Sequence, residues 1–242
     1  MPLPLAAQLC SEDPRPRVLF VAFGTRGDVQ PLLLLARQLQ LQHGAEVTFV
    51  THESMRSTFG WEGGGPAFVG APTFPHRAPT GGDEVAEEYE PVVRCVESAR
   101  PSLLVLNLFA LGAWHVAEAF ELRCVVASPC LIPYAPPACL ADDFQSAFPE
   151  LYAELQRPAS AVSVSWLDVS HWMWPLWNEA KWGGWRENRL GLASAPLASR
   201  AGPLPPPTPV LYGFPSLLLP PLPDWPPAVR LCGFWAAAPA DS

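Results

Sequence analysis

The sequence has few charged residues and no excess of basic ones. Of its 242 residues 16% are charged, and 23 Asp and Glu against 15 Lys and Arg give a formal net charge of -8. A protein that neutralises the phosphates of a nucleic acid needs clustered Lys and Arg, so this composition argues against nucleic acid as a partner. The acidic stretch DEVAEEYE (83–90) is interpreted as the solvated face of a helix.

Paired cysteines and long hydrophobic runs are also absent. The six cysteines include no C-x-x-C pair, so we expect structural thiols and no metal site. The longest uncharged apolar run, PSLLVLNLFALGAWHVA, is interrupted by Asn107 and His115 and is shorter than the roughly 20 residues of a membrane span. No charged segment precedes an apolar run at the N-terminus, so no secretory signal is expected. We therefore expect a cytoplasmic protein, with peripheral contact to membranes left open.

Short apolar runs alternate with helical patterns in the first half of the chain. Near-continuous apolar runs, which strands buried on both faces require, occur at 18–23, 46–52, 67–72, 103–109 and 123–129. Apolar residues at helical spacing occur between them at 31–43, 83–99 and 111–120. This alternation predicts the α/β class, with a Rossmann-like, doubly wound parallel sheet and a ligand crevice at the carboxyl ends of its strands.

Prolines interrupt the pattern beyond residue 129. Two helices are predicted over 141–156 and 162–182, the second rich in tryptophan, followed by a stiff proline-rich connection and a short strand in VLYGF. The predicted division of the chain has three parts: a disordered tail (1–16), one Rossmann-like domain (17–214) and a connector that leads out of it (215–242).

The stretch VAFGTRGDVQP places polar residues at the end of the first predicted strand. Gly24 lies at the carboxyl edge of the sheet, Gly27 allows a tight turn, and Pro31 is tolerated in the first helical turn. Asp28 therefore lies at the mouth of the predicted crevice, where it either caps the helix or acts on a ligand. The glycines form G-x-x-G, so both the dinucleotide fingerprint and the phosphate loop are absent. The pattern alone predicts a ligand-binding α/β domain.

Four longer stretches in collinear order are more specific. They are GTRGDVQPLLLLARQLQLQHGAEVTFVTH, VAEAFELRCVVASPCLIPYAPP, HWMWPLW…WGGWRENRLGL and VLYGFPSLLLPPLPDWPPAVRLCGFW. Together they resemble the UDP-sugar-dependent glycosyltransferases of the sterol 3-beta-glucosyltransferase type, particularly plant and algal members, over most of 17–235. The resemblance implies a GT-B fold, in which the first Rossmann-like domain binds the acceptor and the second binds most of the UDP-sugar. We expect this chain to be the N-terminal half, with the donor domain missing.

The resemblance also implies a reaction. In the family, an acceptor hydroxyl displaces UDP from a hexose, glucose being the first expectation, and the acceptor is a sterol or another lipophilic alcohol. The hydroxyl needs a base, and Asp28 matches the position at which related antibiotic glucosyltransferases use an aspartate. Related plant glucosyltransferases that use a histidine as the base place an acidic partner at the end of the fourth strand, and Asn107 matches that place. Asn107 is either compatible with Asp28 acting as the base without a partner or a buried residue that ties loops together. The UDP-sugar is a co-substrate, and no metal or other cofactor is expected.

The remaining candidate residues each have two interpretations. The loop that faces the donor in the family consists of Gly24, Thr25, Arg26 and Gly27. Arg26 either meets a diphosphate oxygen or is a solvated surface residue, while backbone amides of the loop are candidate phosphate donors. The candidate acceptor-pocket residues are Asn107, Trp172, Trp174 and Trp177. The tryptophans either wall a lipid pocket or pack helices together. His52 is interpreted as a strand-end residue rather than a second base, and His115 as an interior or helix-face histidine.

Two function classes therefore stay open. The chain is either the acceptor-binding, base-supplying half of a UDP-glycosyltransferase, completed by a donor domain or subunit, or a non-catalytic module that binds a lipid or a small hydrophobic alcohol. The GTRGD loop favours the first, and the donor half that we expect to be missing favours the second. Transfer from UDP-glucose would indicate the first, and sterol binding without nucleotide dependence the second.

Overall fold

A computed structural model describes residues 15–61, 65–73, 81–157, 163–198 and 202–236. Seven strands form one sheet: β1 (Arg17–Val21), β2 (Glu46–His52), β3 (Ala67–Ala71), β4 (Leu103–Leu106), β5 (Arg123–Ser128), β6 (Val210–Tyr212) and β7 (Val229–Leu231). Every neighbouring pair is parallel, in the order β3-β2-β1-β4-β5-β6-β7. The predicted α/β class and doubly wound parallel sheet are confirmed.

Helices connect the strands and extend beyond β5. They are α1 (Arg26–His43), α2 (Met55–Phe59), α3 (Gly82–Ala99), α4 (Gly112–Ala119), α5 (Leu140–Ala147), α6 (Pro149–Leu155), α7 (Trp166–Asp168) and α8 (Glu179–Trp185). A π-helical turn (Val169–Met173) and a 3₁₀ turn (Trp174–Trp177) lie between α7 and α8, and a second π-helical turn (Arg186–Leu190) follows α8.

The sheet buries apolar residues on both faces, as the continuous apolar runs predict. Phe20 and Phe49 belong to one core with the buried side of α1, which includes Leu32. Leu19 and Leu104 belong to the other core, together with α3, α4 and most of the tryptophan-rich segment. Because both faces are covered by helices, the edge formed by the carboxyl ends of the strands is the place for a ligand.

Three predicted helices have different bounds in the structure. Helix α1 begins at Arg26 and not at residue 31, because Thr25 provides an extended N-cap with φ -85° and ψ 175°. The helix predicted over 141–156 is broken at Phe148, where φ is -135° and Pro149 begins α6. The helix predicted over 162–182 is a series of short helical turns, of which residues 163–182 are described. Prolines at 149 and 175 account for much of this irregularity, because each removes a backbone donor.

The stretch predicted as a connector contributes a strand. Val229–Leu231 form β7 and pair with β6, so part of 215–242 extends the sheet. The apolar pattern of the sequence did not predict this strand. The division into three parts stays a prediction, and the tail predicted at 1–16 lies mostly outside the described residues.

Candidate active site

The site is located by the order of the strands. Strands β1 and β4 are neighbours, while β2, which follows β1 in the chain, pairs on the other side of β1. The direction of winding therefore reverses between β1 and β4. In sheets of this class ligands bind in the crevice that opens at this switch point, outside the carboxyl ends of the strands. Residues 24–28, named here the β1–α1 junction, lie at that edge.

Asn107 links the two strands at the switch point. The Phe23 backbone N–H donates to Asn107 Oδ1 at 3.2 Å, and Asn107 Nδ2 donates to the Phe23 carbonyl at 2.7 Å. The residue is only 1% exposed, so its carboxamide supplies the hydrogen-bond partners that the buried backbone of Phe23 would otherwise lack. Of the two interpretations of Asn107, this geometry supports the residue that ties loops together; a role in the acceptor pocket stays a prediction.

Gly24 turns the chain from β1 toward α1. Its φ is +109°, a backbone conformation that side chains disfavour. A Cβ atom at this position would lie 2.7 Å from Oδ2 of Asp28. The backbone conformation therefore favours glycine, and any larger residue would displace the carboxylate that packs against it.

Asp28 lies in the first turn of α1, three residues after the N-cap Thr25. Its Oδ2 accepts the Thr25 backbone N–H at 2.8 Å and the Thr25 hydroxyl at 2.7 Å. Asp28 therefore does have a capping role, but as the third helical residue of a capping box and not as the N-cap residue that the sequence pattern suggests. Among the described residues no hydrogen bond reaches the other oxygen, Oδ1, and the side chain is half-buried. One oxygen therefore fixes the carboxylate, which leaves the second for a ligand.

The rest of the junction is open to solvent. Thr25, Arg26 and Gly27 are exposed, and Gly24 is half-buried. Arg26 Nε donates to Gln30 Oε1 at 2.9 Å, within the same helix. The helix N-terminus concentrates positive potential at this surface. The geometry is compatible with a diphosphate nearby, and the assignment of these residues to a donor-facing loop stays a prediction.

A pair that the sequence analysis did not predict lies beside the junction. His52 ends β2, and its ring stacks on the Phe23 ring with centroids 4.4 Å apart and planes inclined by 7°. Its Nε2 lies 3.3 Å from Oε1 of Glu88 on α3, and the ring of Tyr89 packs edge-on against Phe23 at 5.5 Å. His52 is at the strand end, as predicted, and its carboxylate partner was missed.

Glu88 corrects the interpretation of the acidic stretch. We expected 83–90 to form a solvated helix face, and Glu88 is only 6% exposed. The spacing of Val85, Tyr89 and Val92, all buried, contained the signal: position 88 follows 85 by three residues and precedes 92 by four, which places it on the apolar face. The exposed positions of the stretch are Asp83 and Glu87.

The three tryptophans proposed for an acceptor pocket pack within the protein. Trp172 and Trp177 are buried, and Trp177 Nε1 donates to the Pro196 carbonyl at 3.1 Å. Trp174 is half-buried and meets Tyr134 edge-on at 5.5 Å. The ring contacts found within the described residues do not join them to the β1–α1 junction. Their role in acceptor binding stays a prediction.

His115 is an interior residue, as expected. Its Nδ1 lies 2.6 Å from Nη1 of the buried Arg186, which also donates to Glu118 Oε2 at 2.7 Å. Burial, followed by the positive charges of Arg186 and Lys181, lowers the pKa of His115 well below its ordinary value. The imidazole is therefore neutral and accepts from Arg186. This group joins α4 to the π-helical turn after α8 and not to the junction.

The described ranges contain neither a metal-binding cluster nor a membrane-spanning helix. Within residues 15–61, 65–73, 81–157, 163–198 and 202–236, no group of three or more His, Cys, Asp or Glu side chains is arranged to hold a metal ion. Over the same ranges no helix has the length and apolar character needed to cross a bilayer.

Comparison with known proteins identifies relatives of the chain. Residues 18–82, which include the junction and His52, match the glycosyltransferase family 28 N-terminal domain. The sterol 3-beta-glucosyltransferase UGT80B1 of Arabidopsis thaliana is 30% identical over 125 residues, which cover 48% of this chain and 19% of that protein. The sterol 3-beta-glucosyltransferase of Leptosphaeria maculans is 25% identical over 259 residues, which cover 99% of this chain and 17% of that protein. The chain thus spans less than a fifth of either relative.

A solved structure agrees in fold. The glycotransferase of kitacinnamycin superposes with a TM-score of 0.57 at 18% identity, over 94% of this chain and 54% of that one. At this level of identity the agreement concerns the fold. The Rossmann-like architecture predicted for the N-terminal half of a GT-B protein is therefore confirmed.

Proposed function

We propose that this chain, which contains a glycosyltransferase family 28 N-terminal domain of the sterol glucosyltransferase type, binds an acceptor alcohol and supplies the base for sugar transfer. The observation that carries the proposal is Asp28. Its carboxylate lies at the switch point of the sheet, is fixed through Oδ2 and has Oδ1 without a hydrogen-bond partner among the described residues.

The chemistry follows from this arrangement. A hydroxyl is a poor nucleophile near neutral pH, and a positioned base contributes roughly 10²–10⁴-fold to the rate. Oδ1 of Asp28 accepts the proton of the acceptor hydroxyl as that oxygen forms a bond to the anomeric carbon. The bond from this carbon to the UDP oxygen breaks, and its electron pair leaves with UDP. Attack opposite the leaving group inverts the configuration of the sugar, and Asp28 then returns the proton to solvent.

The substrates belong to the proposal as well. The two curated relatives are named sterol 3-beta-glucosyltransferases, which supports a sterol hydroxyl as acceptor and glucose as the transferred sugar, with a UDP-sugar as co-substrate. A cytoplasmic location with peripheral membrane contact fits a lipophilic acceptor. The proposal includes no metal ion and no nucleic acid partner.

The test is a transfer assay on the full-length protein with radiolabelled UDP-glucose and a sterol dispersed in cyclodextrin. We expect labelled steryl glucoside from the wild type and a loss of at least about 100-fold in kcat for Asp28→Asn. Asp83→Asn is the matched control, because Asp83 is an exposed acidic residue in the first turn of α3, and it should keep wild-type turnover. Sterol binding without transfer or nucleotide dependence would instead favour a binding module.

A further inference from the structure

Phe23 is the last buried residue before the β1–α1 junction, and it is held in two ways. Asn107 pairs with both of its backbone polar groups. His52 covers one face of its ring, and Tyr89 packs against it edge-on. The Ala22 N–H donates to the Val50 carbonyl at 3.0 Å, so β1 and β2 are still paired just before this point. Phe23 is thus constrained at its backbone and at its ring directly before Gly24.

The imidazole of His52 is itself held by Glu88. A carboxylate only accepts hydrogen bonds, so the bond at 3.3 Å is donated by Nε2–H of His52. Glu88 is buried, and the charged residue that faces it from α8 is Lys181. Burial lowers the pKa of Lys181, and the negative charge of Glu88 offsets part of this shift. The pair thereby fixes the plane of the ring that stacks on Phe23, as a carboxylate does for histidines elsewhere.

The next contacts lead from Phe23 to the base. Gly24 follows directly, and its Cα hydrogen points toward a carboxylate that leaves no room for a methyl group. A displacement of a few tenths of an ångström at Phe23 would therefore be passed to Asp28. Misplacing a reacting group by about 1 Å is enough to cost roughly 10²-fold in rate.

We infer that His52 and Glu88 are positioning residues that hold the Asp28 carboxylate in place through Phe23. The inference rests on the proposed function for its consequence in catalysis. Its structural part, the support of the junction by the pair, is independent of any activity. Neither residue contacts the reacting atoms in this account.

Amide hydrogen exchange tests the structural part directly. The Phe23 and Thr25 amides donate to Asn107 and Asp28, so they report on the junction. In His52→Ala we expect these two amides to exchange at least about 10-fold faster than the global destabilisation of the variant explains. Amides of β5 should change only by that global amount. Uniform acceleration at all of these sites would show that His52 is ordinary packing and would overturn the inference.

Two further variants separate stacking from the hydrogen bond. Glu88→Gln keeps an oxygen that accepts from His52 and should keep the protection of the Thr25 amide, whereas Glu88→Ala should lose it. Glu87→Gln is the matched control for Glu88→Gln, because Glu87 is exposed on the same helix, and it should behave as the wild type. Equal protection in Glu88→Ala and in the wild type would contradict a role for the carboxylate.

The transfer assay on the full-length protein tests the consequence for catalysis. Per folded molecule, His52→Ala should lower kcat about 10-fold or more and change the KM of each substrate less than 2-fold, with partial recovery in His52→Phe, which keeps a stacking ring. His115→Gln, which alters a buried histidine that does not contact the junction, should keep kcat per folded molecule. If transfer depends on Asp28 but His52→Ala keeps a normal kcat, the inference is overturned and the proposed function stands. A wild type without transfer would refute the proposed function and leave the exchange experiment to decide the inference.

Discussion

Replacing Gly24 with alanine tests how closely the junction is built around Asp28. A side chain at φ +109° costs about 1–3 kcal/mol. The new Cβ would also lie 2.7 Å from Asp28 Oδ2, so the carboxylate must move and weaken the two bonds that it accepts from Thr25. Because the junction is partly exposed, we count about 1 kcal/mol for this loss. The expected destabilisation is therefore about 2–4 kcal/mol.

The assay is equilibrium unfolding in urea, followed by tryptophan fluorescence. Gly44→Ala is the matched control: Gly44 also has a positive φ, +62°, but nothing lies within 4 Å of its added Cβ, so only the backbone term of about 1 kcal/mol applies. Gly24→Ala should be less stable than Gly44→Ala by at least about 1 kcal/mol. It should also lower the rate of sugar transfer more than Gly44→Ala does. Equal destabilisation in the two variants would refute the claim that Gly24 is fitted to the carboxylate.

Two other predictions concern stability. Asn107→Ala leaves the buried N–H and carbonyl of Phe23 without partners, so urea unfolding should show a loss of about 2–4 kcal/mol; a loss below about 0.5 kcal/mol would contradict this. The folded pKa of His115 lies below its unfolded value because of burial and Arg186, so its stabilising contribution is complete above about pH 6.5 and is lost as the pH falls. His115→Gln should flatten the decline in stability between pH 6.5 and 5 by up to about 1.4 kcal/mol per pH unit; parallel pH profiles would show that His115 is not buried neutral.

Much of the fold was predictable because parallel strands have a simple signature. Runs such as VLFVAF and EVTFVTH are apolar at nearly every position, which strands need when helices cover both faces. Strand β7 lacks that signature: Val229–Leu231 is three residues long, lies among prolines and is only half-buried. Its place depends on β6 as a partner, which local sequence does not encode. The tryptophan-rich segment was hard to predict for the same reason, since tertiary packing replaces regular helical spacing there.

The candidate site was predictable in part. The end of the first predicted strand located Asp28 at the sheet edge, because ligands bind at the carboxyl ends of parallel strands. Asn107 was located only through the family resemblance. The sequence did not show that Thr25 is the N-cap, which moves Asp28 into the first turn of α1. Glu88 was missed because an acidic run suggests solvent, although its spacing placed it on the buried face. Its partnership with His52 joins residues 36 positions apart, which no local pattern indicates.

The most direct test of the central claim is the single-turnover rate of sugar transfer by Asp28→Asn in the full-length protein, with UDP-glucose and sterol both saturating. This rate reports chemistry separately from binding. We expect a loss of at least about 100-fold with sterol affinity unchanged, because the amide keeps the shape of the carboxylate but cannot accept the proton. A rate within 3-fold of the wild type would contradict the assignment of Asp28 as the base.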